Sequence, residues 1–174
     1  MSQYLTASSG LSKMFYGQIL TILGIIPLVG WILAIAGLVL FLVGLHEAAR
    51  ADEGYRAAFY VEIAILALSL LNLFLGALGI FISALSLVSV YLVCNTTSSL
   101  LSAKGDLTAA ARGRLVWKIY VVCAAVSIVC SILLLFPLLN VLGLVIIVPN
   151  AIASLVGSIL YLMFLYRASN SLRY

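Results

Sequence analysis

The chain reads as an all-α integral membrane protein, with six transmembrane helices arranged as three helical hairpins joined by short outer turns. Three observations predict this. The residues are 66% hydrophobic and only 8% charged, with a mean hydropathy of +1.30. Three long apolar stretches each carry a helix breaker near the middle. All nine Lys and Arg lie in, or within a turn of, the polar segments that flank those stretches.

A soluble domain carries about 25% charged residues. Nine basic and five acidic side chains cannot cover a water-facing surface of 174 residues. The bilayer is therefore the expected solvent. The net charge of +4 forms no basic run or stripe, which speaks against a nucleic-acid partner. Cys94, Cys123 and Cys130 fall in or beside apolar segments and are expected to behave as small hydrophobes rather than as a disulfide framework. The N-terminal segment has one Lys before the first apolar stretch and no small-residue cleavage pattern, so no removable signal peptide is expected.

The apolar stretches are 14–45, 57–95 and 115–166. As single helices they would measure roughly 48, 58 and 78 Å, against a hydrocarbon core of about 30 Å. The second and third must turn back. Their breakers are Gly76 with Gly79, and Pro137 with Asn140 and Gly143; the first stretch has Gly24, Pro27 and Gly30. The unit polar segment, helix, apolar turn, helix, polar segment thus repeats three times, with hairpins at about 9–47, 55–95 and 107–168. Residues 1–174 make one membrane domain, with no soluble domain. A single tilted span across 14–45 would instead give five spans.

Charge placement favours six. With three hairpins, Lys13, Arg50, Arg56, Lys104, Arg112, Arg114, Lys118, Arg167 and Arg173 all fall on one side, and basic residues beside span ends mark the cytoplasmic face. Both termini are then cytoplasmic. Phe15, Tyr16, Tyr55, Phe59, Tyr60, Tyr91, Trp117, Tyr120 and Tyr166 would form an aromatic belt on that side. Gly105-Asp106 reads as a helix stop followed by an N-cap.

Gly30, Ala34, Gly37 and Gly44 form a helix-packing seam of small residues on the second helix, since small side chains let backbones approach in lipid. Gly79, Ser83 and Ser86 offer a similar seam on the fourth helix, and Ser154, Gly157 and Ser158 on the sixth. The even-numbered helices are accordingly expected at the centre.

Glu62 is the one acidic residue well inside a span, where a carboxylate is costly and suggests function. With Ser69 and Asn72 it forms a candidate intramembrane polar face on the third helix. The alternative is an ion pair of Glu62 with Lys13 or Lys118. Asn140, Pro149 and Asn150 make a candidate kink or polar site on the last helix, because proline frees a backbone carbonyl. His46 is read as a partner of its helix C-terminus.

No phosphate loop, zinc-protease box or nucleophile elbow occurs. Neither a catalytic residue nor a metal ligand set is identified, no cofactor is expected, and the chain is not read as an enzyme. The turn Pro27-Leu-Val-Gly30-Trp31 before a Gly-spaced helix resembles segments of many small prokaryotic membrane proteins; it implies no activity. The expected place is a prokaryotic cytoplasmic membrane. The expected function is a non-catalytic membrane subunit or scaffold whose partners are the lipid bilayer, another membrane protein or further copies of itself. The alternative is a small transporter or channel using the polar face of the third helix.

Overall fold

The computed structural model describes residues 2–24, 26, 29–75, 78–134 and 140–173, with the side chains of 2, 75, 80, 127, 128, 130–134, 140–148 and 150 outside the description. Among the described residues there are six α-helices and no strand: α1 Ser2–Leu23, α2 Gly30–Ala48, α3 Glu53–Leu75, α4 Gly79–Lys104, α5 Leu107–Leu134 and α6 Asn140–Arg173. Four segments of the described residues are long and apolar enough to cross a membrane, namely Gly30–Ala48, Glu53–Phe74, Phe81–Lys104 and Ala151–Arg173. The chain is thus an all-helical protein with the composition of a membrane protein. Pro27, Gly76 and Pro137, expected at the turns, lie outside the described residues.

Each helix packs against the next in sequence, and α6 returns against α1 to close a ring. This corrects the expectation that the even-numbered helices form the centre. Among the described residues only α4 and α6 touch appreciably across the ring, and α2 packs mainly on α1.

The α1–α2 contact is the closest, and glycine explains it. Gly10 and Gly17 on α1 and Gly24 just past its end recur every seven residues, as do Gly30, Gly37 and Gly44 on α2. The helices run antiparallel, with Gly10 against Gly44, Gly17 against Gly37, and Gly24 against Gly30. A Cβ built on Gly17 would stand 2.6 Å from the backbone nitrogen of Phe41, and one on Gly37 would stand 2.6 Å from the carbonyl oxygen of Gly17. No L side chain fits there without separating the helices. The seam expected on α2 therefore has a matching one on α1, which sequence reasoning missed. Ala34 extends it, touching the site of Gly24.

The junctions at the basic end are short and capped. Gly105 ends α4 with φ of 95°, the left-handed conformation that glycine adopts without a Cβ penalty. Asp106 then caps α5, its Oδ1 accepting from the backbone nitrogen of Ala109 at 3.0 Å. Between α2 and α3, Asp52 Oδ1 accepts from the Gly54 nitrogen at 2.8 Å.

Burial is concentrated at the basic end. Leu11, Met14, Leu45, Tyr55, Val93, Leu101, Leu165 and Leu172 are fully enclosed there, whereas at the other end Trp31, Leu73 and Phe74 are 84%, 80% and 85% exposed. The helix lengths suggest why. α5 and α6 have 28 and 34 residues, about 42 and 51 Å, longer than a hydrocarbon core of about 30 Å. Overhanging segments meet water and collapse onto each other, while within lipid an apolar side chain gains little by leaving the acyl chains.

Two belt assignments change as a result. Tyr55 is fully buried, its hydroxyl 2.7 Å from Thr97 Oγ1 on α4. Tyr120 turns between helices, its hydroxyl 3.4 Å from Ser158 Oγ on α6. The other aromatics do pair near the basic end, Phe15 with Tyr166 and Tyr91 with Trp117.

Candidate functional site

Glu62 lies two and a half turns into α3 and is partly buried against α4, where its Oε1 accepts from Ser89 Oγ at 2.6 Å. It is within electrostatic reach of Tyr161 on α6. Lys13, one of the two partners considered for it, is paired instead with Glu47 across the α1–α2 contact.

Ser69 and Asn72 follow Glu62 in sequence but serve other ends. Ser69 is exposed on the outside of the bundle. Asn72 is partly buried, and its Oδ1 accepts from the backbone nitrogen of Leu78 at 2.9 Å, tying the end of α3 to the start of α4. Successive side chains on a helix turn by about 100°, so positions 62 and 69 nearly eclipse while position 72 is rotated by about 80° from Glu62. The three residues share a broad helix face, but the structure brings no two of them together.

The last-helix candidates are resolved in part. α6 runs through Pro149 as one helix, and Pro149 is exposed. The side chains of Asn140 and Asn150 lie outside the described residues.

A feature that sequence reasoning did not find is a cavity of about 860 Å³ between α4, α5 and α6, at the level where the basic-end core has ended. It is bordered by Gly79, Ser83, Ser86, Tyr120, Ser154 and Ser158. The small residues of α4 and α6 were expected to close helices together, yet here they border a space. A Cβ on Gly79 would meet nothing within 4 Å, and the nearest atom to one on Gly157 is 3.6 Å away. The serines are also turned inward on their own helices: Ser83 donates to the Gly79 carbonyl, Ser86 to that of Ile82, and Ser158 to that of Ser154. Such back-bonding satisfies a hydroxyl without a neighbour. Small size alone was the sequence signal, and it does not distinguish a contact from a gap.

Outside the helices, Asp106 gathers the densest set of bonds. Its carboxylate accepts from Ala109 and Thr108, and from Ser171 on α6 at 2.7 Å. These donors, Ser171 first, hold its pKa down at about 2. Lys104 donates to the Ser171 carbonyl at 2.6 Å and stands over the Tyr4 ring, so this corner ties α1, α4, α5 and α6.

Among the described residues no group of three His, Cys, Asp or Glu converges as a metal site. The fold and its polar groups define an all-helical protein of membrane composition. No family model matches the chain, and neither a curated protein nor a solved structure matches it.

Proposed function

We propose that the chain crosses a prokaryotic cytoplasmic membrane six times as three hairpins, with both termini in the cytoplasm. On this reading it is a non-catalytic membrane subunit or scaffold that binds another membrane protein, a second copy of itself or lipid. The observation that carries the reading is how the polar groups are used. Glu62, Asn72, Ser83, Ser86 and Ser158 each bond to their own helix or to one neighbour, and large apolar side chains stand bare on α2 and α3. A chain so arranged offers surface rather than chemistry.

Native mass spectrometry of protein extracted gently from its own membrane tests this. A second polypeptide retained at fixed stoichiometry is expected, or a defined homo-oligomer. A monomer that carries neither polypeptide nor lipid would end the reading.

One observation favours the transport alternative: Glu62 is a half-buried carboxylate on the third helix, bonded through Ser89 to α4, and α4 is one wall of the cavity. If the polar face conducts, Glu62→Gln abolishes proton or solute flux into liposomes at full folded yield. Unchanged flux, or none in either protein, leaves the scaffold reading.

A further inference from the structure

Basic residues beside span ends orient a membrane protein wherever on the rim they stand. Two of those in this chain do something more specific. Arg112 is five residues from the start of α5, and Arg167 is six from the end of α6. On adjacent antiparallel helices these positions share a level, about 8 Å inside the helix ends. Both are exposed, and both border one groove of about 220 Å³ between the two helices. Below them the groove is apolar, lined by Leu115, Leu160 and Met163. Leu115 and Met163 are 55% and 48% exposed, so it opens on the outside of the bundle.

Lys13 and Lys104, by contrast, are engaged within the bundle, Lys13 by Glu47 and Lys104 by the Ser171 carbonyl and the Tyr4 ring. The acidic group near Arg112 is Asp106, whose carboxylate is hydrogen-bonded to Ser171, Ala109 and Thr108 and feels Arg112 through space as the weakest of its interactions. A guanidinium presents a planar fork of donors that matches phosphate oxygens. Paired arginines above an apolar furrow, at the cytoplasmic level of a bundle, match a phosphate headgroup and the chain beneath it.

We propose that the α5–α6 groove binds an anionic phospholipid, its phosphate held by Arg112 and Arg167 and an acyl chain lying along Leu115, Leu160 and Met163. This deepens the scaffold reading by naming a lipid class, and it rests on that reading's placement of the basic end at the cytoplasmic surface. The groove selects charge at the headgroup and only length and thickness at the chain.

Native mass spectrometry in detergent, titrated with phosphatidylglycerol or phosphatidylcholine, tests the assignment. The wild-type chain is expected to keep one phosphatidylglycerol adduct at concentrations where phosphatidylcholine leaves none. R112Q/R167Q should weaken that adduct about thirtyfold, from a roughly fivefold contribution per arginine at a membrane surface. R56Q/R114Q removes the same charge from exposed positions outside the groove and should weaken it less than threefold. M163W fills the furrow with both arginines intact and should also displace the lipid. Equal losses in the two arginine pairs would overturn the site, leaving a general surface potential. So would equal retention of the two lipids, or full retention in M163W. Loss of a co-purifying polypeptide from R112Q/R167Q with the lipid retained would assign the arginines to a protein contact instead. Lipid adducts and a second polypeptide are separate masses in the same spectra, so this assignment and the subunit reading fail independently.

Discussion

Tyr55 and Ser98 each bury a hydroxyl at the basic end of the bundle, with opposite consequences. The Tyr55 hydroxyl is bonded to Thr97, and both residues are fully enclosed. Ser98 Oγ is 4% exposed as a residue and has no hydrogen-bond partner among the described residues, lying against Gly113 and the Phe164 ring. A buried hydroxyl that loses its partner leaves another group stranded, at about 1–3 kcal/mol; deleting an unpaired one removes that cost. Tyr55→Phe is therefore expected to lower stability by about 1–2 kcal/mol and Ser98→Ala to raise it by up to about 1 kcal/mol, read by thermal unfolding in detergent. The same sign for both would refute the hydrogen-bond assignment. Asp106 adds a pH dependence. Its folded pKa of about 2 lies below the unfolded value near 3.9, so its contribution is complete above about pH 4 and is lost as pH falls through 2. Asp106→Asn should flatten the decline of melting temperature between pH 4 and 2 and leave a smaller effect at pH 7, since Asn caps helices nearly as well. An unchanged acid limb would show that other carboxylates carry it. At this scale the sequence was partly legible. The Gly105-Asp106 junction could be read because turn chemistry is local. Tyr55 could not, because a tyrosine near a span end looks alike whether it faces lipid or a neighbouring helix. Glu62 was legible as a costly residue, but its partner Ser89 lies on another helix at a separation no spacing rule reaches.

Between elements, the difference between a glycine that is required and one that is tolerated comes down to the neighbour. On α1 and α2 the two heptad series face each other, so backbone meets backbone and no rotamer change can make room. Gly37→Ala places a methyl 2.6 Å from the Gly17 carbonyl and the Thr21 nitrogen, and is expected to cost about 1–3 kcal/mol or to lower folded yield. Gly79→Ala, with nothing within 4 Å, is expected to be neutral or to stabilise α4 by up to about 1 kcal/mol. Equal effects in the two melts would show that α1 and α2 do not pack this closely. The seven-residue rhythm on α2 was readable in an uninterrupted apolar helix. Its counterpart on α1 was harder to see, because Gly10 sits among Ser8, Ser9, Ser12 and Lys13, ahead of the apolar stretch that begins at Met14. Those polar residues are used by the fold: Ser8 donates to the Ser169 carbonyl on α6 at 2.7 Å, and Lys13 meets Glu47 on α2. The polar residues ahead of the apolar stretch are the lateral glue of a helix.

For the whole molecule, that packing is what supports the proposed six spans over the five-span alternative. By composition α1 is not among the segments apolar enough to span, and a five-span chain with its N-terminus outside would follow if it stayed out. Yet α1 lies beside α2 from Gly10 against Gly44 to Gly24 against Gly30, and α6 covers its Ser8 and Ser12. On the proposed topology this helix of 22 residues, about 33 Å long, lies along its spanning partner at the same depth of membrane. Its serines enter hydrogen-bonded to the bundle, which removes most of the cost of taking them into lipid. Single cysteines in a chain whose own three are replaced give the measurement. Positions 31, 78 and 143 should react with an impermeant maleimide added to intact cells, and positions 3, 53 and 103 only after lysis. Position 31 is preferable to its neighbour Gly30, where any side chain would strike the Gly24 carbonyl, and Trp31 is already 84% exposed. Labelling of position 3 in intact cells, with 53 and 103 still protected, would make α1 a surface helix and replace six spans by five. The α1–α2 glycine contact would then have to be broken in the membrane, and Gly37→Ala should become harmless; the two experiments therefore stand or fall together.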